Sequence, residues 1–191
     1  MDFEIIKPAD IEKRSFAIIT EELGDRVFPE EIGLVVKRVI HTSADFDYAD
    51  NLVFSEGAVP RALEAIRNGA HIVTDTNMVK AGINKKTLAK FGGEVHCFVA
   101  DADVAEEAKQ RGVTRSTVSM ERAAKLDVPV IFAIGNAPTA LIELDRLMRE
   151  QDLQPELIIG VPVGFVNVVE SKELILQSQA PHIVARGRKG G

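Results

Sequence analysis

The chain has 191 residues, 46% of them hydrophobic and 27% charged, with a formal net charge of −6 at pH 7. This length suits one domain, 1–191, with a substantial core, and the acidic balance argues against a general nucleic-acid binder. No apolar run approaches the roughly 18 residues of a membrane span, the acidic start MDFEIIKPAD lacks the pattern of a signal peptide, and one cysteine excludes an internal disulfide or cysteine-cluster metal site, so a cytoplasmic protein is expected.

Residues 9–23 carry apolar positions at Ile11, Phe16, Ile19 and Leu23, and Gly24 follows as a stop, which predicts a helix. A second helix is predicted from Pro29 to Ile40, with Ile32, Val35, Val36, Val39 and Ile40 on one face and Pro29 in the first turn. From there the chain alternates. Short runs rich in β-branched residues lie at Leu52-Phe54, His71-Thr74, Glu94-Ala100, Val128-Gly135, Leu157-Val163 and His182-Ala185. Helical patterns separate them at 59–68, 84–91, 102–126 in two pieces, 137–150 and 164–177. This alternation predicts an α/β fold: a doubly wound, mainly parallel sheet with helices on both faces, preceded by two N-terminal helices. Cys97 falls inside a predicted strand and reads as a buried residue.

The stretch from Arg38 to Asn51 sets His41 among Thr42, Ser43, Asp45, Asp47, Asp50 and the one tyrosine, Tyr48. At or just beyond a helix C-terminus, His41 would feel carbonyls that favour its protonated form by roughly 0.3 to 1 kcal/mol. The three aspartates would push the same way if they fold back close. A capping or core histidine without chemistry is the plain alternative.

In open parallel sheets ligands bind beyond the carboxyl ends of the strands. Four polar clusters are candidates for that rim: Asp75-Thr76-Asn77-Met78 with Lys80, Thr114-Arg115-Ser116-Thr117, Gly135-Asn136-Ala137-Pro138-Thr139, and the glycines of Gly160-Val161-Pro162-Val163-Gly164-Phe165. Asn136 is a candidate N-cap whose neighbouring free N–H groups would accept an anion, although caps and turns use the same residue types. The last residues, Arg186-Gly187-Arg188-Lys189-Gly190-Gly191, read either as a disordered basic tail or as a clamp for carboxylates or phosphates. No dinucleotide or phosphate-loop glycine motif is present, the four histidines lack zinc-ligand spacing, and there is no nucleophile elbow. Neither a cofactor nor a metal is expected.

Taken together, Arg14-Ser15-Phe16, Arg38-Val39-Ile40-His41-Thr42-Ser43 with Asp45-Phe46-Asp47, Asp75-Thr76-Asn77-Met78-Val79, Thr114-Arg115-Ser116, Ile134-Gly135-Asn136-Ala137-Pro138-Thr139-Ala140-Leu141, Gly160-Val161-Pro162-Val163-Gly164-Phe165-Val166, Glu170-Ser171-Lys172 and Gly187-Arg188-Lys189-Gly190-Gly191 resemble the precorrin-8X methylmutase family over nearly the whole chain. The resemblance implies a cofactor-free isomerase of vitamin B12 synthesis. It would move a methyl group from C-11 to C-12 of precorrin-8X or cobalt-precorrin-8, giving hydrogenobyrinic or cobyrinic acid. His41 matches the family's catalytic histidine, thought to protonate a ring nitrogen and ease a 1,5-sigmatropic shift, and Ser15 and Arg38 match substrate-contacting positions. Arg14, Thr42, Ser43, Thr76, Asn77, Met78, Lys80, Arg115 and Ser116 are further candidates for substrate binding on the matching motifs. A homodimer with a shared active site is implied, and the family pattern runs on beyond the final Gly-Gly with a serine and a short helix. Two other readings remain in view: a corrinoid carrier that leaves its ligand unchanged, and an enzyme acting on another polyanion such as a nucleotide.

Overall fold

The computed structural model describes residues 4–191, and the chain divides into two compact units, Met1–Leu52 and Val53–Gly191. In the first unit a 3-10 turn at Pro8–Asp10 leads into α1 (Ile11–Leu23), followed by α2 (Glu30–Ser43) and the single turn α3 (Tyr48–Asn51). Ile19 and Leu23 of α1 and Val36 and Ile40 of α2 are buried, the consequence of apolar positions three and four apart on each helix. Pro29 stands just before α2 rather than in its first turn, and its carbonyl accepts the Gly33 N–H at 2.8 Å. The helix also runs three residues further than its apolar stripe, because Ala44 adopts a left-handed conformation (φ 54°) and returns its N–H to the Ile40 carbonyl at 2.7 Å. His41 therefore lies within the last turn.

The second unit is built on a six-stranded sheet of order β1-β6-β5-β4-β2-β3. The strands are β1 (Leu52–Phe54), β2 (His71–Thr74), β3 (Val95–His96), β4 (Val130–Ile134), β5 (Leu157–Gly160) and β6 (His182–Ala185). The pairings β2/β3, β2/β4, β4/β5 and β5/β6 are all parallel. The helices between them are α4 (Ala58–Arg67), α5 (Asn77–Gly82), α6 (Lys85–Leu88), α7 (Ala102–Arg111), α8 (Arg115–Ala123), α9 (Pro138–Gln151) and α10 (Val168–Gln177). Connections through α4 to α6 step across the sheet in one direction and those through α7 to α10 in the other. Right-handed crossovers then place the two sets on opposite faces, which is the doubly wound arrangement expected.

All five residues of β4 are buried, as a central strand covered on both faces requires. Phe132 and Ile134 pack with Val73, Ile158 and Val184 from neighbouring strands and with Leu141, Leu144 and Leu147 of α9. Each such side chain contributes roughly 1.5 to 3 kcal/mol of burial. No helix among the described residues is long and apolar enough to cross a membrane.

Several sequence expectations shift. The strand expected over 94–100 shrinks to two residues, since Phe98 turns to receive the Asp101 N–H and opens α7. The helix expected from 164 begins only at Val168, because Gly164 (φ 141°) and Asn167 (φ 57°) stand outside helical backbone space. The short helix α5 was unforeseen within a stretch that read as a polar loop. Nor is the basic C-terminus a loose tail. The Gly191 N–H donates to the Val161 carbonyl at 2.9 Å, and a Cβ at Gly190 would lie 2.0 Å from that same oxygen. Only glycine permits that approach. Beneath this turn the fully buried Lys172 ammonium donates to the carbonyls of Gly187 (2.8 Å) and Lys189 (2.7 Å).

Candidate functional site

In the first unit α1 and α2 place Ser15 opposite His41, and Ser15 Oγ and His41 Nδ1 are 2.7 Å apart. His41 is half-buried and meets the edge of the Phe16 ring at 5.6 Å between centroids. Arg38, one turn earlier on α2, lies over the same ring at 4.8 Å and forms two 2.9 Å hydrogen bonds to Glu12. Ser15 and His41 line a pocket of about 330 Å³ whose other walls include Ile6, Ile11, Ile18 and Phe46. Glu4, Arg14 and Glu22 also belong to the lining, so the pocket sets His41 in a largely apolar enclosure with charged residues on its wall.

A serine hydroxyl both donates and accepts. It can hold Nδ1 whether the imidazole is neutral or protonated, leaving Nε2, which has no hydrogen-bond partner among the described residues, to exchange a proton. The aspartates expected to assist are otherwise engaged. Asp45 accepts the Asp47 N–H at 3.0 Å, and Asp50 pairs with Arg26 at 2.9 Å. A carboxylate that does feel His41 is Glu12, held below its usual range chiefly by its hydrogen bond to Arg38, with a smaller contribution from His41. Glu12 and Phe16 were missed as site residues, because their positions on α1 become meaningful only once α1 packs against α2. The signal available was the helical spacing on α1, where Glu12 precedes Ser15 by three residues and Phe16 by four.

The other candidates of this unit divide. Thr42 donates to helix carbonyls at Arg38 and Val39, and Ser43 donates to Val39 while accepting the Asp45 N–H. Both hydroxyls support the end of α2. Arg14 is exposed and paired with Glu4 at 2.9 Å.

In the second unit β2 and β4 are neighbours whose crossovers leave on opposite faces, the point where ligands of doubly wound sheets bind. The anion expected at the start of α9 is there, and it is the protein's own. The buried Asp75 carboxylate accepts the N–H groups of Gly135 (2.9 Å), Asn136 (2.8 Å) and Ala137 (2.6 Å). The cap position belongs to Ala137, not Asn136, and no side chain caps α9. Gly160, read as a place where a ligand approaches, is filled against Val184 and Leu141, and a Cβ there would lie 3.3 Å and 3.4 Å from them.

Thr76 serves as N-cap of α5, accepting the Val79 N–H at 3.2 Å, and thereby presents Asn77 and Met78 outward, with Met78 83% exposed. Lys80 is half-buried in the same helix, Arg115 is exposed at the start of α8, and Ser116 beside it is buried. Phe165 and Val166, beyond β5, are exposed apolar residues, and Arg188 lies over the Phe165 ring at 5.3 Å. A larger pocket of about 600 Å³, lined by Arg61, Arg149 and Gln177 among others, opens at the amino ends of β5 and β6 and contains no candidate residue.

The sequence pattern of precorrin-8X methylmutase matches residues 10–191. The chain is 47% identical over 186 residues to the cobalt-precorrin-8 methylmutase of Priestia megaterium, covering 97% of this chain and 83% of that protein. It is 37% identical over 183 residues to the precorrin-8X methylmutase of Pseudomonas aeruginosa, covering 95% and 88%. A crystal structure of the precorrin-8X methylmutase of Thermus thermophilus superimposes with a TM-score of 0.86 at 39% identity, covering 95% of this chain and 89% of that one. With both units inside these matches, the chain belongs to the precorrin-8X methylmutase family.

Proposed function

We propose that His41 is the proton donor and acceptor of an intramolecular methyl transfer from C-11 to C-12 of a precorrin-8 macrocycle, with or without cobalt. The chain is an isomerase of cobalamin biosynthesis, so no atom is gained or lost overall. The bond from the methyl carbon to C-11 breaks, the bond to C-12 forms, and any proton placed on a ring nitrogen must be returned. The Ser15–His41 pair carries this reading, because a hydroxyl can hold one imidazole nitrogen in either protonation state and His41 lines a largely apolar pocket. Such acid–base assistance supplies roughly 10² to 10⁴ in rate.

The remaining candidates fit a flat, polycarboxylate ligand. Met78, Phe165 and Val166 offer exposed apolar surface to a ring face, while Lys80, Arg115 and Arg188 offer cations to peripheral carboxylates. Arg14 and Arg38 would exchange Glu4 and Glu12 for substrate carboxylates. The two units act together as one methylmutase domain in this reading, in a cytoplasmic homodimer, which sedimentation at enzyme concentration would test. The deciding experiment is conversion of precorrin-8X and of cobalt-precorrin-8 by wild type and His41→Ala. Loss of turnover with product binding retained supports the assignment, and undiminished turnover by the variant ends it.

A further inference from the structure

We propose that His71, Glu94 and His96 form a binding site for a divalent cation of the zinc class at the edge of the sheet, tying β3 to β2. The three residues offer one ligand atom each, all within 4.8 Å of one another. Their spacing in sequence, 23 and 2 residues apart, matches no ligand motif; the parallel register of β2 and β3 brings them together.

That register pairs Val73 with His96 and Ile72 with Val95. Side chains alternate along a strand, so His71 shares a face with Val73, and hence with His96. The Ile72 N–H bonds to the Glu94 carbonyl at 2.8 Å, fixing the backbone from which the carboxylate projects. Thr74 Oγ1 donates to the His96 carbonyl at 3.2 Å and secures the other end.

The imidazoles face each other through their ligating atoms. His71 Nδ1 and His96 Nε2 are 2.8 Å apart, the ring planes differ by 20°, and the centroids are 5.0 Å apart. Rings in face-to-face contact would not bring two nitrogens into hydrogen-bond range at that separation, so the contact is edge to edge, a single proton between two lone pairs. Replacing that proton with an ion bound at about 2.0 to 2.1 Å from each nitrogen in tetrahedral geometry requires the nitrogens to part to roughly 3.4 Å. The shift is about half an ångström, on an edge strand only two residues long. Lys80 acts against a cation there, and Glu94 acts for it.

Two imidazoles and one carboxylate, with room for water, suit Zn²⁺ and its borderline neighbours better than Mg²⁺ or Ca²⁺. The test is calorimetric titration and thermal unfolding of the chelator-treated, dialysed protein with ZnCl₂. One equivalent should bind, with Tm rising by roughly 5 to 10 °C at a hundredfold excess over Kd. His96→Gln should abolish both effects. Glu94→Gln, an exposed change that leaves folding intact, should weaken binding by roughly tenfold or more, the scale seen when a metal ligand loses even an outer partner. No binding by wild type, or binding that both variants retain unchanged, overturns the proposal.

Discussion

Two polar constellations anchor the two units, and they are built on opposite principles. Around Asp75 every acceptor is engaged: a buried carboxylate takes three backbone N–H groups from the turn that starts α9. Around His41 one nitrogen is fixed by a hydroxyl that tolerates either protonation state, and the ring is only half-buried. In the first arrangement both carboxylate oxygens are bound, and removing the carboxylate would strand three donors. In the second, one ring nitrogen alone is bound among the described residues. A carboxylate placed at the expected ligand-binding point of a doubly wound sheet is therefore a structural lock here, and the proton chemistry is proposed for the helical first unit.

The largest effect expected from breaking this contrast is on turnover. His41→Ala should lower the rate of methyl transfer by roughly 10² to 10⁴ while leaving Tm near wild type, as followed by the visible spectrum of the corrin product. Asp75→Ala should do the reverse in kind. It orphans three N–H groups at about 1 to 3 kcal/mol each, partly relieved by entering water, so a loss of about 3 kcal/mol or more should appear in urea unfolding. If Asp75→Ala kept its stability and lost only turnover, the lock would have been misidentified.

Lys172 offers a contrast to Asp75 within the second unit. Burial pushes its ammonium down to about 8 from the usual 10.5, and among the described residues it is enclosed without a carboxylate partner. Between those pH values the unfolded chain binds more protons than the folded one, so stability should rise with pH across that window and be flat on either side. The rise is at most about 3 kcal/mol, reduced by the two carbonyls that accept from the ammonium. Lys172→Met should remove the slope, as chemical denaturation at pH 7.5 and 10 would reveal. A slope that persists in the variant would assign it to another group.

Much of the second unit was legible because buried parallel strands are runs of β-branched residues with little else to become. The strands at Leu52, His71 and His182 fall where those runs do. What failed was legibility by neighbourhood. Asn136 looked like a cap and the turn after it like an anion site, yet the anion comes from Asp75, 60 residues or more away in sequence. The grouping of His71 with His96 depends on strand register, which no local spacing reports. His41 stood out through its setting of hydroxyls and acids, but the partner that matters, Ser15, lies 26 residues away on another helix. The acids beside His41 are spent on the turn that ends α2 and on Arg26.

Ser15 offers the finest test, because two roles for it predict different kinetic signatures. As a direct contact to substrate, its loss would raise KM at constant kcat, the mark of binding that is equal in ground and transition states. As the group that orients His41, its loss would leave KM near wild type and lower kcat. The geometry favours the second role, since Oγ is already 2.7 Å from Nδ1, and a hydrogen bond of that kind is worth roughly 1 to 1.5 kcal/mol. Ser15→Ala should accordingly cost about tenfold in kcat. Ser15→Thr, which keeps the hydroxyl, should recover most of it. An unchanged kcat with a raised KM in Ser15→Ala would move Ser15 to the substrate and leave His41 to be held by its helix alone.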